Sequence, residues 1–300
     1  MSMYLQQLIN LIQLGSIYAL LAIGFSIVYG IARLVNFAHG PIFMVSTYLI
    51  FYFATFMYEF TANSWLVYAC SLLFAVILTA SLAVLIEKLA YRPLRGGPVV
   101  ALVVSSVGVG MILEYGVLLL IGPVPKRMPV LIKDIPFMIG DAKISLASIV
   151  IIIVAILSMV LLSLFINHTR TGIALRAVSQ DPIAASFMGI SRSFIISVAF
   201  ILGAVMATIG ASLYTTIYFT FAPYMGDRVN WYSFIAAVLG GIGNIKGAVL
   251  GGFVLATLNV VGAMVLPVST YKDVLVFAVL ILVLLIKPTG LLGKKVIEKV

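Results

Sequence analysis

The sequence predicts an all-α polytopic membrane protein, a bundle of about eight or nine transmembrane segments with Gly-broken or re-entrant pieces. Three observations carry that expectation. Hydrophobic residues make up 63% of the chain and charged residues 9%, where soluble domains average ~45–50% and ~25%. Mean hydropathy is +1.24. The apolar residues also come in runs near the ~20 residues that a helical span needs. One transmembrane domain therefore accounts for residues 1–300, with residues 167–193 as its polar, water-facing segment.

In chain order, residues 5–30 form the first segment and close at Arg33. Asn36-Phe37-Ala38-His39-Gly40-Pro41 interrupts the hydrophobicity before residues 41–57 make the second. Glu59, Asn63 and Ser64 mark a turn, Trp65 suits an interfacial anchor, and residues 66–90 run back across. Glu87, Lys88, Arg92 and Arg95 mark that exit, where Pro93 and Gly96-Gly97-Pro98 break the helix. Residues 99–121 form a fourth segment that embeds Ser105, Ser106, Gly108, Gly110 and Glu114. A loop with four prolines, residues 122–144, leads to the fifth segment at 145–166.

Residues 194–217 are the sixth segment, followed by an aromatic loop at 218–230. Residues 231–242 are only half a span, turned by Gly243-Asn244-Ile245-Lys246-Gly247, and residues 248–266 cross in full. A last apolar stretch, 274–286, ends at Lys287-Pro288-Thr289-Gly290. Gly243, Gly247 and Gly251 recur at every fourth position, as do Gly203, Ala207 and Ala211. Small residues at this spacing let helix backbones approach closely in lipid. Gly-rich breaks at 105–110 and 240–246 would serve packing alone or expose backbone around a polar pathway.

The polar segment, NHTRTGIALRAVSQDPIAASFMGISRS, carries its own helix punctuation. Asp181 suits an N-cap and Pro182 the first helical position, since proline has no N–H to lose. Residues 183–188 would make about one and a half turns at ~3.6 residues per turn, ended by Gly189 in the left-handed conformation. Residues 171–180, with Arg176, suit a second short amphipathic helix.

Charge orients the chain. With nine alternating segments, 12 of the 18 Lys and Arg residues fall on one side and six on the other. Lys and Arg accumulate in cytoplasmic loops, which places the N-terminus outside, the C-terminus in the cytoplasm and residues 167–193 in the cytoplasm. The net charge of +9 is mostly this bias. No basic run interleaved with aromatics points to nucleic acid. No basic residue precedes the first apolar run, which argues against a cleaved signal peptide.

Chemistry-bearing motifs are sparse. His39 and His168 are the two histidines, Cys70 is alone, and no zinc-protease motif or nucleophile elbow occurs. Gly290-Leu291-Leu292-Gly293-Lys294-Lys295 lacks the spacing of a nucleotide-binding loop, so no cofactor is expected in this chain. Glu114 is an acid deep in an apolar segment, where a charge is costly and faces a cavity or a partner. It joins Asn36, His39, Ser105, Ser106 and Asn244 as a pathway candidate, each with a purely structural role as the alternative. Paired intramembrane ionisable residues would suit an ion-coupled secondary transporter, and Glu114 alone qualifies.

Several separated motifs carry a family resemblance. They are Leu14-Gly15-Ser16-Ile17-Tyr18-Ala19-Leu20, Val35-Asn36-Phe37-Ala38-His39-Gly40, Gly172 through Val178, and Asp181 through Ile190. Gly240 through Gly252 and Lys287-Pro288-Thr289-Gly290-Leu291 complete the set, with Lys287 where an Arg is usual. The chain resembles the membrane permease subunits of ATP-binding-cassette importers for branched-chain amino acids, the LivH type. That resemblance implies an inner-membrane complex with a second homologous permease, two cytoplasmic ATPase subunits that bind ATP and Mg, and a periplasmic or surface substrate-binding protein. It further implies that Asp181, Pro182, Ala184, Ala185 and Gly189 form a coupling helix seated on an ATPase, with Arg176 and Arg192 paired to its acids. The implied solute is leucine, isoleucine or valine; other amino acids, amides and urea are the alternatives within the family.

Overall fold

The computed structural model describes residues 2–132, 136–139, 142–265, 267–268 and 271–293. Lys133, Lys294, Lys295 and Lys299, counted in the charge bias, lie outside these residues, as does Leu266 at the expected end of the eighth segment. Among the described residues the chain forms eleven α-helices, seven of them long and apolar enough to cross a membrane.

Helix α1 (Ser2–Ala32) has 31 residues and no Asp, Glu, Lys or Arg. At ~1.5 Å per residue it outspans the ~30 Å hydrocarbon core. It stops where Arg33 adopts φ 54°, the left-handed conformation of a helix end. Helices α2 (His39–Tyr58), α3 (Ser64–Ile86) and α4 (Val99–Ile121) follow. The Asn63 side chain caps α3 by accepting from the amides of Trp65 and Leu66 at 3.1 and 3.3 Å. Helix α3 then widens into a π turn (Glu87–Tyr91) and tightens into a 3-10 turn (Arg92–Leu94), which carries its end past the expected boundary.

The loop at 122–144 is more ordered than its four prolines suggest. Strand β1 (Lys126–Arg127) pairs antiparallel with β4 (Thr220–Phe221), while β2 (Pro136–Ile139) and β3 (Ala142–Ser145) form a hairpin. Beyond it lie α5 (Leu146–His168), α6 (Arg170–Gln180), α7 (Pro182–Phe187) and α8 (Arg192–Ile217). The chain closes with α9 (Met225–Gly240), α10 (Ile245–Val265) and α11 (Tyr271–Ile286). Helix α9 begins six residues before the expected half-span, so the second half of the aromatic loop is helical. The expected break at 105–110 is absent: α4 runs through it unbroken, and a Cβ on Gly108 would meet nothing within 4 Å.

Burial sorts the spans. The most apolar window of α1 is 83% buried within the chain and that of α8 is 61%, against 28% for α3 and α5 and 17% for α4. Helix α1 is thus the axis, flanked by α8, α9 and α10, and the periphery offers its apolar side chains to lipid or a partner. Because lipid supplies no hydrophobic drive between helices, close backbone packing must hold the axis. Gly203 lies so near Gly24 that a Cβ there would sit 3.1 Å from the Gly24 carbonyl oxygen. Gly247 and Gly251 do the same for α10 against α9, and Ala207 and Ala211 are fully buried on α8. The small-residue spacing is therefore packing.

Candidate functional site

Residues 167–193 fold as two short helices across one end of the bundle. Thr169 caps α6 by accepting from the Gly172 amide at 3.0 Å. The Asp181 carboxylate caps α7, with Oδ1 accepting from the amides of Ile183 and Ala184 at 2.9 Å each. Pro182 opens that helix and Gly189 ends it at φ 78°. Both punctuation marks lie where the sequence puts them.

Side chains divide α7 into two faces. Ala185 is buried, joining Leu175 and Val178 of α6 and Ile195 of α8 in the core cluster. Ala184 is exposed. Ile183, Phe187 and Met188 are 69%, 87% and 81% exposed, an apolar tip on an otherwise polar segment. Arg192 is exposed, whereas the exposed Arg176 already donates to Asn167 Oδ1 at 3.1 Å.

This segment is tied to the bundle at both ends. Arg33, at the close of α1, donates to the Ser179 carbonyl in the last turn of α6 at 3.0 Å. Beyond α7, the fully buried Glu87 pairs with Arg95 and accepts from Ser197 Oγ of α8 at 2.7 Å. Arg95 also reaches Ser193 Oγ at 3.4 Å. Burial pulls the Arg95 guanidinium below its usual pKa, and the adjoining Glu87 carboxylate opposes that shift. The two helices that flank α7 are thus hydrogen-bonded to the end of α1 on one side and to the end of α3 on the other.

Three of the polar pathway candidates, Asn36, His39 and Ser106, meet around the connection between α1 and α2, and Glu114 lies further along α4. Asn36 and His39 are 3% and 1% exposed, so this turn is buried backbone that must find partners inside the protein. Asn36 Oδ1 accepts from the Ala38 amide at 3.2 Å and from the Tyr91 hydroxyl at 2.9 Å. Ser106 Oγ accepts from the Phe37 amide at 3.3 Å and lies 3.2 Å from the Val35 carbonyl oxygen. Asn230 of α9 accepts from the Gly40 amide at 3.2 Å. The His39 ring stands edge-on to Phe25 at 5.9 Å, and its Nε2 has no hydrogen-bond partner among the described residues. Glu114, two turns beyond Ser106 on α4, faces Asp227 of α9.

The other two candidates lie elsewhere. Ser105 donates to the Ala90 carbonyl at 3.1 Å beside the end of α3. Asn244 caps α10, accepting from the amides of Lys246 and Gly247 at 3.1 and 3.3 Å, and donates to the Leu292 carbonyl at 2.8 Å. Next to it, the amides of Leu291 and Leu292 donate to the carbonyls of Leu239 and Gly240 at 2.8 and 2.9 Å. The two terminal motifs thus fit together: one supplies the donors that the open end of α9 requires.

Sequence reasoning missed Tyr91, Asn230 and the Glu87–Arg95 pair, because each partner lies 55 residues or more from what it holds or reads as a surface charge at a helix exit. It also passed over Ile183, Phe187 and Met188, although apolar residues at i, i+4 and i+5 on a polar helix were a visible signal.

Comparison with known proteins agrees with this architecture. Residues 7–284 match the family model described as branched-chain amino acid transport system, permease component. The chain is 39% identical to the high-affinity branched-chain amino acid transport system permease protein LivH of Salmonella typhimurium, over 99% of this chain and 98% of that one. It is likewise 39% identical to the permease protein BraD of Pseudomonas aeruginosa over the same shares. To a probable LivH of Methanocaldococcus jannaschii it is 28% identical, over 93% of this chain and 89% of the relative. The chain belongs to the family of permease components of branched-chain amino acid transport systems.

Proposed function

We propose that this chain forms part of the translocation path of an ATP-binding-cassette importer for leucine, isoleucine and valine. It works with a second homologous permease, two ATPase subunits and a substrate-binding protein. Its C-terminus and residues 167–193 face the cytoplasm, in keeping with the excess of Lys and Arg at that end. The observation that carries the reading is the tip of α7, where Ile183, Phe187 and Met188 are exposed on a helix whose one buried residue is Ala185. An apolar surface of that kind marks a docking site.

In this mechanism the ATPase grips α7, and closure of the ATPase dimer on ATP moves it. Arg33 carries the movement to α1, and the contacts of Ser193 and Ser197 with Arg95 and Glu87 carry it to α3 and α8. Rigid, closely packed helices then tilt as a body and change which side the path opens to. The hydrolytic chemistry belongs to the ATPase chains. This chain contributes position and shape.

The reading is tested by purifying the chain gently from its native membrane and identifying its companions by mass. Two nucleotide-binding subunits and a second permease, with ATP-dependent leucine uptake after reconstitution, are the expected result. Recovery of the chain alone with solute flux that ignores ATP would overturn it. Gly189→Val gives a further check: at φ 78° a β-branched side chain reshapes the end of α7, and among the described residues no atom lies within 4 Å of its Cβ, so the change stays in that segment. Uptake should fall while membrane insertion stays normal.

A further inference from the structure

At the end of the bundle opposite α7 lies a cavity of about 110 Å³. Four tyrosines surround it: Tyr18 from α1, Tyr214 from α8, Tyr218 just beyond it and Tyr232 from α9. Two cations complete the rim, Arg228 from α9 and Lys272 from α11. The mechanism above uses none of these residues.

Its chemistry is unusually mixed for a membrane bundle. Arg228 pairs with Asp273 at 3.3 Å and also lies 5.5 Å from the Tyr232 ring centroid. The Tyr232 hydroxyl donates to Asp273 and sits 3.4 Å from Asn259 Oδ1. Arg228 and Asp273 therefore offset each other, and Lys272 remains as a surplus positive charge at the rim among the described residues. The hydroxyls of Tyr18, Tyr214 and Tyr218 have no hydrogen-bond partner among the described residues. Rings stack along the wall, Tyr18 edge-on to Tyr232 at 5.4 Å and Tyr214 against Tyr218 at 4.5 Å. Leu21 and Val229 supply an apolar floor.

Each of these features matches one part of a zwitterionic amino acid. A free ammonium favours the faces of aromatic rings, which attract cations through their quadrupole. A carboxylate favours Lys272 and free phenolic donors. A branched aliphatic side chain favours Leu21 and Val229. A single water needs only ~10–15 Å³ of such cavity space, so the cavity holds a group of several heavy atoms. Building on the importer reading, we propose that this tyrosine-lined cavity is a specific acceptor site. It takes the amino acid from the binding protein before the path opens inward, with Lys272 on the carboxylate.

The test uses the assembled complex in proteoliposomes with its binding protein, radiolabelled leucine and a parallel ATPase assay. Lys272→Gln should lower leucine moved per ATP hydrolysed by roughly tenfold, the size of one charge-assisted hydrogen bond, and leave stimulation of the ATPase by the binding protein within about twofold of normal. Tyr214→Phe, which keeps the ring and removes one hydroxyl, should give a smaller loss in the same ratio. Unchanged leucine per ATP in both variants overturns the site while the importer stands. Lost ATPase stimulation overturns it too, because the rim would then be a protein-docking surface. Direct binding of leucine to the complex without its binding protein separates the two readings further. If the unaltered complex neither transports nor binds leucine, the importer reading and the site fall together.

Discussion

Two polar interruptions break this hydrophobic chain, and the structure treats them in opposite ways. The turn between α1 and α2 is closed from within: Asn36 and Ser106 accept from its amides, Tyr91 holds the Asn36 side chain, Asn230 accepts from the Gly40 amide, and Asn36 and His39 are buried. The segment at 167–193 is left open, with three large apolar side chains exposed at its tip. The turn is finished by this chain alone. The apolar tip of α7 is left for something else to cover, as the proposed docking requires. Substitutions at the turn should therefore act on folding, and substitutions at α7 on the complex.

The largest effect is expected at Gly40. A Cβ there would collide with the Gly226 carbonyl oxygen and the Asn230 backbone, atoms that two helices hold in place. Gly40→Val should cost ~3 kcal/mol, the upper end of what overpacking costs, and abolish monodisperse protein in detergent. A normal melting curve would show that α2 and α9 separate more easily than their packing suggests. Asn36→Ala comes next. It strands the Ala38 amide and the Tyr91 hydroxyl, and at ~1–3 kcal/mol for a buried group left unpaired it should visibly lower the thermal midpoint. A variant of wild-type stability would mean that water replaces the carbonyl, and that the turn is wetter than its burial implies.

The comparison reverses at Phe187. This side chain is 87% exposed, so Phe187→Ser should leave the melting temperature of the isolated chain within the ~0.5 kcal/mol usual for surface changes. In the complex it removes an apolar anchor, and ATP-driven uptake should drop about tenfold, as loss of an interface hot spot does. Equal loss in the two measurements would dissolve the distinction between the two regions.

How legible each region was in the sequence follows the same line. Composition and apolar runs located all seven long helices, since a lipid-spanning helix is a local, one-dimensional pattern. The caps of α7 were legible for the same reason: Asp181, Pro182 and Gly189 lie within nine consecutive residues and act on their own backbone. The break expected at 105–110 was wrong because Gly110 serves a neighbour; its missing Cβ makes room for Pro41. Asn36 was visible as an interruption, yet its partners Tyr91 and the encircling Ser106 and Asn230 come from three other helices. The pairing of Gly240 and Leu239 with residues 291–292 was equally hidden. Contacts across a bundle leave no spacing to read.

The smallest effect, and the finest test of the comparison, lies at Asp181. Its carboxylate satisfies two amides at the start of a six-residue helix. Asp181→Ala removes about 1 kcal/mol of capping, the usual worth of such a group. A helix this short frays locally without unfolding the bundle, so the global melting curve should not move. What should move is the population of α7 in its docking shape, and uptake should fall several-fold with no change in the amount of protein in the membrane. Asp181→Ser keeps an N-cap oxygen and removes the charge. Recovery with serine would assign the residue to helix geometry. Failure of serine to recover would give the carboxylate a partner on the ATPase and extend the open surface of this segment beyond its apolar tip.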